Sequence, residues 1–364
     1  MIREEFVLAN YVDIKNVVTS RPACNGSLFI KDGKHFLIAR ETNYSFIFEN
    51  ELIKPVGTNN TYSNQNLFEI DKNTCNAKFI KCISSPTVEE RTWAYSGNED
   101  VRIINDTALR MSYTKTNNTH TFCINTAVLD ENFNIVNEHA IMTQQKIEKN
   151  WQPIEGIAAE YVYSYKPFRL INVLTSKFIE KDNTFDDFYR GSSPIIRYKN
   201  YMIGIIHKSV NTPSERRYYH YFVMFDNNMN LMKISKPFLF IGANIEFNVS
   251  LLNENNDLSI IFSIYDNLCY YCKVDEKLLT AIFENKLNNA DYSFADVHKK
   301  FYFDSLKNGN IRNAICMSTF TNDPNIMSAA VTLNYNYDFG HIGNKKRIQH
   351  LLITKCKKIM PQTP

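Results

Sequence analysis

Two adjacent carboxylates, Glu99 and Asp100, stand directly before a predicted strand, with Arg102 two positions further on. A nearby arginine can hold one carboxylate ionised and leave the other free to transfer a proton. Cleavage of a glycosidic bond needs this division of labour between carboxyl groups. The three residues are therefore candidates for acid catalysis, and a salt-bridged turn is the alternative use of the same residues.

A second polar cluster, residues 148–153, contains one of the two tryptophans of the chain. Trp151 beside Lys149 and Asn150 offers an aromatic face next to hydrogen-bond donors, a combination that suits a sugar ring or its phosphate. A core tryptophan next to a solvated charged turn is the alternative interpretation.

Further polar residues stand at the ends of predicted strands. Arg190 precedes residues 191–194, whose small side chains let backbone amides approach an anion that the arginine can also bind. His207 ends an apolar strand, either as a ligand group or as a core histidine with satisfied hydrogen bonds. Glu246 precedes a strand and Asp266 ends one. This repeated placement at strand ends is typical of a shared site.

Two familiar site motifs are incomplete. Cys269 and Cys272 have the spacing of metal ligands, but in a strand they point to opposite faces, and no second cysteine pair or nearby histidine completes a zinc site. The glycines form neither a GxGxxG nor a GxxxxGK[ST] pattern, which argues against Rossmann and P-loop nucleotide sites. The sequence therefore predicts no metal and no cofactor.

The elements that must position these residues are β-hairpins with turns rich in Asn, Asp, Gly and Lys. The predicted strands are 27–30 with 36–39, 101–104 with 108–113, 194–197 with 201–207, 218–225 before the turn 226–228, and 258–265 with 269–274. Hairpins that start roughly 45 to 90 residues apart fit four-stranded propeller blades with unequal loops. A pair of β-sandwiches is the competing architecture.

The spacing of apolar residues changes after residue 275. Apolar residues at helical spacing predict helices at 276–286 and 294–306, before strands resume near 314–320 and 328–333. Residues 276–364 are expected to form a partly helical C-terminal elaboration that closes or flanks the propeller, with a separate small domain as the alternative.

The composition of the chain argues against nucleic acid and membranes as partners. Hydrophobic residues make up 44% of the 364-residue chain, which excludes disorder. The 41 Lys and Arg residues are scattered among 38 acidic ones, so no basic patch for nucleic acid is expected. The charged N-terminus and the lack of a long apolar run predict a cytoplasmic protein without a membrane span. Homo-oligomerisation is left open.

Taken in chain order, the clusters resemble the β-mannoside phosphorylases and hydrolases of glycoside hydrolase family 130, and also the related propeller mannosyltransferases. The motifs that carry the resemblance span about residues 22–275 and are Asn25-Gly26-Ser27, Arg40 with Asn43-Tyr44, Glu99-Asp100-Val101-Arg102, Glu148-Lys149-Asn150-Trp151, Arg190-Gly191-Ser192-Ser193-Pro194, the strand that ends in His207, and Glu246. The resemblance implies an all-β catalytic domain, a five-bladed β-propeller over residues 1–275.

The resemblance also implies roles for individual residues. Asp100 corresponds to the general acid of a family motif that usually reads Glu-Asp-Pro-Arg, although Val101 here replaces the proline and Gly26 replaces another expected near the first blade. Together with the clusters above, it gives as candidate contacts to sugar or phosphate Asn43, Glu99, Arg102, Lys149, Asn150, Trp151, Arg190, His207, Tyr218, Glu246 and Asp266.

The function expected from this resemblance is an inverting glycoside phosphorylase or hydrolase that acts on mannosides, with an oligosaccharide substrate and inorganic phosphate as a co-substrate in the first case. One alternative is a glycosyltransferase whose cationic residues bind the diphosphate of a sugar nucleotide. The other is a propeller that binds glycans without catalysis.

Overall fold

The computed structural model describes residues 5–287, apart from positions 22, 50–51, 58–59, 94, 107, 118–120, 142, 144, 212–215 and 244. The predicted helix 294–306 and the strands predicted near 314–320 and 328–333 lie outside the described residues. The division of the chain at residue 275 stays a prediction.

The described chain is almost entirely β-structure. Its strands are β1 (Phe6–Val7), β2 (Lys15–Asn16), β3 (Val18–Thr19), β4 (Cys24–Lys31), β5 (Lys34–Thr42), β6 (Tyr44–Glu49), β7 (Leu52–Gly57), β8 (Thr61–Asp71), β9 (Asn76–Ser84), β10 (Tyr95–Ser96), β11 (Asn98–Asn105), β12 (Leu109–Thr116), β13 (Phe122–Leu129), β14 (Ile135–Ile141), β15 (Gln152–Ile154), β16 (Ile157–Tyr165), β17 (Phe168–Asn172), β18 (Lys177–Glu180), β19 (Arg190–Gly191), β20 (Ile196–Tyr198), β21 (Tyr201–Asn211), β22 (Arg216–Phe225), β23 (Leu231–Ile234), β24 (Phe238–Leu239), β25 (Glu246–Asn248), β26 (Leu252–Glu254), β27 (Asp257–Ile264) and β28 (Leu268–Val274). Short 3₁₀ turns lie at Leu8–Asn10 and Glu90–Thr92, and an α-helix, α1, spans Glu276–Phe283.

The predicted hairpins are confirmed by this strand order. In the first, β4 and β5 pair in antiparallel register across a two-residue turn. Asp32 and Gly33 both have positive φ, 51° and 73°, which is the backbone geometry that matches the right-handed twist of the flanking strands. The turn residues therefore fix the register from Lys31–Lys34 to Ser27–Ile38, and a shift between Ser27 and Cys24 sets Asn25 near Arg40 at the other end of the hairpin.

Within the described residues, the strands form five sheets of four or more strands and the separate hairpin β6–β7. The first sheet has the order β3-β9-β8-β5-β4 with β10 beside β8, the second β11-β12-β13-β14, and the third β15-β16-β17-β18. The fourth has the order β1-β24-β22-β21-β19 with β20 and β23 attached, and the fifth β2-β28-β27-β25 with β26 attached.

Neighbouring sheets contact one another in chain order. Strand β4 of the first sheet contacts β11 of the second, β11 contacts β15 of the third, β16 contacts β19 of the fourth, and β20 contacts β26 of the fifth. The fifth sheet returns to the first through β27 and β4. The arrangement is propeller-like, as predicted, and is not a pair of β-sandwiches; the number of five blades remains a prediction.

The hydrophobic core is divided among the junctions between these sheets. Strand β27 shows why: Ile260 and Phe262 pack against the fourth sheet, while Ile261 between them packs against the first. Successive side chains of a strand point to opposite faces, so a strand covered on both faces must be apolar at almost every position. Mostly apolar runs such as 258–264, in which Ser259 and Ser263 are the exceptions, therefore mark sheets that are covered by neighbours on both faces.

Two peripheral segments attach to the fourth and fifth sheets. The N-terminal segment pairs β1 with β24, β2 with β28 and β3 with β9, so it crosses the fourth, fifth and first sheets in turn. Helix α1 begins where the Asp275 carboxylate accepts a hydrogen bond from the Leu278 amide at 2.7 Å. It buries Leu279 and Ile282 in the core of the same two sheets, and its start agrees with the predicted helix 276–286.

Candidate active site

The Glu99–Asp100 pair occupies an irregular start of strand β11. The pairing of β11 with β12 shifts register between Glu99 and Arg102, and Asp100 within this bulge has a φ of 54°. A bulge of this kind lets consecutive side chains leave the regular alternation of a strand. Val101, which stands where the related motif has proline, is fully buried and anchors the bulge in the core between the first and second sheets.

Arg40, at the end of β5, is the central cation of the site. It is buried, and its Nη2 donates to Glu99 Oε1 at 2.9 Å while its Nε donates to Ser63 Oγ at 2.6 Å. Its Nη1 lies 3.9 Å from Asp100 Oδ1 and 4.0 Å from Asp266 Oδ2. Burial acts to lower the pKa of Arg40, but the surrounding anions outweigh it and hold the pKa above its ordinary value. The guanidinium therefore stays charged.

Asn25 connects the two aspartates of the site. Its Nδ2 donates to Asp100 Oδ1 at 2.9 Å and to Asp266 Oδ1 at 3.3 Å, and its backbone N–H donates to Ser263 Oγ at 2.6 Å. Asp266 also accepts a hydrogen bond from the Tyr44 hydroxyl at 3.0 Å. Strands of the first and second sheets, the β27–β28 turn of the fifth sheet and the hairpin β6–β7 thus contribute to one group. We define it as the carboxylate cluster: Asn25, Arg40, Tyr44, Glu99, Asp100 and Asp266.

Lys149 joins this cluster from the third sheet's side, where its Nζ donates to Glu99 Oε2 at 3.0 Å. Burial acts to raise the pKa of Glu99, but Arg40 and Lys149 outweigh burial and hold the pKa below its ordinary value. For Asp100 the balance is opposite, because burial and the neighbouring Glu99 charge raise its pKa despite Arg40. Glu99 is therefore the stable anion and Asp100 the group disposed to carry a proton.

Arg102 donates to a different set of oxygen atoms. Its Nε donates to the Ser192 carbonyl oxygen at 2.6 Å, its Nη1 to the Asp100 carbonyl oxygen at 2.9 Å, and its Nη2 to Asn150 Oδ1 at 3.4 Å. Burial lowers the pKa of Arg102 to about 10, with Asp100 acting in the opposite direction. The Ser192 hydroxyl in turn lies 2.8 Å from His207 Nδ1.

His207 is almost completely buried, as the core interpretation of this residue expects, and its ring packs against Tyr218 and Phe247 with centroids 5.4 Å away in each case. Arg190 is exposed and stands opposite His207 in the pairing of β19 with β21. The predicted residues Arg102, Asn150, Arg190, His207 and Tyr218 are therefore brought to neighbouring positions, although His207 and Arg102 are bonded to protein groups.

Three residues predicted to contact sugar or phosphate bond protein groups instead: Trp151, Asn43 and Glu246. Trp151 is only 1% exposed, and its indole N–H donates to Glu148 Oε2 at 3.0 Å, so it belongs to the core between the second and third sheets and offers no face to a sugar. Asn43 bonds the backbone of Asn60 and Tyr62 and holds its own loop.

Glu246 is the third correction. Its carboxylate is fully buried and accepts the backbone N–H groups of Phe240, Ile241 and Ala243 at 2.6, 2.9 and 2.8 Å. Burial raises the pKa of Glu246 to about 7, against these hydrogen bonds. Its position serves the 240–243 turn and gives it no route to a ligand.

Asn25, Arg40, Tyr44 and Ser192 lie in the sequence motifs described above, but none of the four is among the predicted sugar or phosphate contacts. The available signal was Arg40, a charged residue that interrupts the apolar run of β5. A buried arginine requires anionic or carbonyl partners, which points to carboxylates near that strand end.

The described part of the chain contains no group of three or more His, Cys, Asp or Glu side chains that could hold a metal ion. No helix among the residues the structure describes is long and apolar enough to cross a membrane.

The solved structures that share this fold include glycoside phosphorylases and hydrolases. One is β-1,2-mannobiose phosphorylase from Listeria innocua, with 12% identity, coverage of 72% of this chain and 92% of that chain, and a TM-score of 0.51. Another is a glycosyl hydrolase from Bacteroides ovatus, with 13% identity, coverage of 71% and 85%, and a TM-score of 0.52.

A third structure comes from the family GH130 of mannoside phosphorylases, described as containing glycoside hydrolases that target β-1,2 mannosidic linkages in Candida mannan; it has 12% identity, coverage of 80% of this chain and 99% of that chain, and a TM-score of 0.54. No protein-family model and no curated protein sequence matches the chain. The resemblance to glycoside hydrolase family 130 is thus confirmed at the level of fold.

Proposed function

We propose that this protein is a carbohydrate-active enzyme that cleaves glycosidic bonds of mannosides with inversion, with Asp100 as the general acid. In this proposal the five sheets are the blades of a five-bladed propeller, and the carboxylate cluster is the sugar site. The resemblance in fold to mannoside phosphorylases and hydrolases supports the substrate class.

The observation that carries the proposal is the unequal pairing of two neighbouring carboxyl groups. Glu99 bonds Arg40 at 2.9 Å and Lys149 at 3.0 Å, whereas Asp100 bonds the Asn25 amide at 2.9 Å and has Arg40 only at 3.9 Å. Arg40 and Lys149 hold Glu99 ionised, whereas burial and Glu99 raise the pKa of Asp100. Pairs of carboxyl groups whose environments separate their pKa values are the usual basis for assigning acid and base roles. The raised pKa of Asp100 favours its protonated form relative to that of Glu99, as a general acid requires.

The reaction follows from these roles. Asp100 transfers its proton to the leaving oxygen, directly or through a sugar hydroxyl, as the bond between that oxygen and the anomeric carbon breaks. A phosphate anion, or a water molecule that gives one proton to an ionised carboxylate of the cluster, attacks the same carbon from the opposite face, which inverts its configuration. Arg40 and Asn25 position the Asp100 carboxyl, and Asp266 and Tyr44 supply polar atoms at the edge of the site for sugar hydroxyls.

Phosphate would require cations near the anomeric carbon. Lys149 and Arg190 are exposed cations of this region, whereas Arg102 is only 1% exposed and donates its hydrogen bonds to protein oxygens. Lys149 donates to Glu99, and Arg190 stands opposite His207 in the pairing of β19 with β21. These positions support phosphorolysis as one form of the reaction, with hydrolysis as the other.

The test is a phosphate-dependence assay of the full chain against a panel of β-mannosides. Turnover that releases mannose 1-phosphate and stops without phosphate identifies a phosphorylase, and release of mannose in phosphate-free buffer identifies a hydrolase. Asp100→Asn is expected to lower kcat by about 100-fold or more with either nucleophile, because the leaving group then departs without a proton donor.

Asp257→Asn is the matched control, since it removes the same charge at the far end of β27 from Asp266, where Asp257 pairs with Lys273 at 2.5 Å. Full activity of Asp100→Asn would refute the assignment of the acid. Sugar binding without turnover on any substrate of the panel would instead indicate a glycan-binding propeller, and release of a nucleoside diphosphate from a sugar nucleotide would indicate a transferase.

A further inference from the structure

Three apolar side chains next to the carboxylate cluster remain open to solvent. Tyr95 is 51% exposed and Ile147 66%, and Phe122 between them is partly buried. The rings of Tyr95 and Phe122 have centroids 5.6 Å apart and planes at 57°, and Phe122 pairs with Ile147 through an isolated parallel bridge. These three residues are defined here as the aromatic platform.

The platform is continuous with the candidate active site through Lys149. The ammonium group of Lys149 lies 4.4 Å from the ring centroid of Phe122 and donates to Glu99 Oε2 at 3.0 Å. Tyr95 contacts the Phe122 ring, and strand β10 leads through Gly97 and Asn98 to Glu99. The platform therefore begins where the carboxylate cluster ends.

We propose that the aromatic platform binds the second sugar ring of an oligosaccharide whose first ring lies against Asp100. This inference rests on the proposed function and adds to it a binding subsite centred on Tyr95. The apolar C–H face of a sugar packs on an exposed aromatic ring, and the hydroxyls at its edge need a donor and an acceptor. Lys149 and Glu99 supply both beside the platform.

The burial of Trp151 strengthens the assignment. The sequence pattern predicts that Trp151 stacks on the sugar, but its indole lies in the core. Phe122 contacts Lys149, and Tyr95 contacts Phe122 and is half exposed, so the ring of Tyr95 is accessible to a ligand.

The experiment measures the affinity of mannose and of β-linked mannobiose for the full chain carrying Asp100→Asn, in which turnover is suppressed, with and without Tyr95→Ala. We expect Tyr95→Ala to weaken mannobiose binding by about 3- to 10-fold and to leave mannose binding unchanged. Tyr95→Phe retains the ring and should bind mannobiose as the parent does. Tyr201→Ala, which removes another exposed tyrosine at the turn between β20 and β21, is the matched control.

Each outcome discriminates. If the parent binds mannobiose and Tyr95→Ala binds it equally well, the platform is not a subsite, and the proposed function stands. An equal loss for mannose and mannobiose also overturns the inference, because it places Tyr95 at the first ring. If the parent and the wild-type chain bind no glycan, the proposed function and the subsite fall together. Self-association that Tyr95→Ala abolishes, with glycan binding unchanged, would make the platform an interface between copies and refute the inference.

Discussion

Asp100 and Glu99 are adjacent in sequence, yet their surroundings separate them chemically. Glu99 has two cations within hydrogen-bond distance, Arg40 and Lys149. Asp100 has an amide, Asn25, at that distance, and Arg40 only at 3.9 Å. The bulge at the start of β11 creates this difference, because it turns the two carboxyl groups toward different partners.

The electrostatic coupling of this pair makes Glu99→Gln informative. The change removes a negative charge beside Asp100 and frees Arg40 and Lys149 from their carboxylate partner, and both effects favour the ionised form of Asp100. The pKa of Asp100 should therefore fall. Because the acid works only while protonated, the decline of kcat/KM on the alkaline side should move to lower pH than in the wild type.

This shift can be followed by the pH–rate profile and, independently of activity, by the carbon NMR titration of the Asp100 carboxyl group. Glu180→Gln is the control, since Glu180 pairs with Arg169 at 2.8 Å on the outer strands of the third sheet. An alkaline limb that moves to higher pH in Glu99→Gln, or an Asp100 pKa that does not fall, would contradict the proposed coupling.

At the scale of elements, the position of the Glu99–Asp100 pair depends on the turn between β10 and β11. Gly97 in this turn has a φ of 85°, and a Cβ atom there would lie 2.1 Å from the Ser63 carbonyl oxygen. Ser63 is also the residue whose hydroxyl accepts the Nε hydrogen bond of Arg40. A side chain at 97 would therefore displace the backbone that supports both Arg40 and the Glu99–Asp100 pair.

We expect Gly97→Ala to lower the free energy of unfolding by at least about 2 kcal/mol, from backbone strain together with the clash. Gly33→Ala is a matched control, because Gly33 also has positive φ, 73°, but a Cβ atom there meets nothing within 4 Å. Thermal unfolding of the two variants separates strain from clash. Equal midpoints for Gly97→Ala and Gly33→Ala would show that the contact with Ser63 is unimportant.

Some features of these elements could be predicted from the sequence, and others could not. Hairpins were predictable because their turn residues and β-rich runs are local signals, as in the β4–β5 and β27–β28 pairs. The partners of Arg40 were not predictable, because they belong to other sheets. Glu99 and Asp100 come from the second sheet, and Asp266 comes from the β27–β28 turn of the fifth. Trp151 was misassigned for the same reason: its burial depends on how the second and third sheets pack, which leaves no local trace in residues 148–153.

For the whole molecule, the determining feature is that each sheet is stabilised by its neighbours on both faces. Apolar clusters fill the junctions, and polar contacts add to them at the periphery: Arg110 of the second sheet donates to the carbonyl oxygens of Ile154 and Ala158 near the third, at 3.1 Å each. His35 of the first sheet lies 2.7 Å from Glu254 of the fifth. A site assembled from several strand ends therefore depends on the integrity of every junction.

The N-terminal segment gives the clearest test of this dependence. Residues 6–19 add strands to the fourth, fifth and first sheets in succession, and Leu8 between these strands is fully buried in the core shared by the fourth and fifth. Leu8→Ala should lower the free energy of unfolding by about 2–5 kcal/mol, as expected for a buried leucine that leaves a cavity.

Leu174→Ala, at a leucine that is 82% exposed, removes the same atoms from solvent and should change little. Urea unfolding of both variants, followed by tryptophan fluorescence and by circular dichroism, measures the difference. If the segment only decorates the surface, the two variants will unfold at the same urea concentration; if it holds the last sheets to the first, Leu8→Ala alone will unfold earlier.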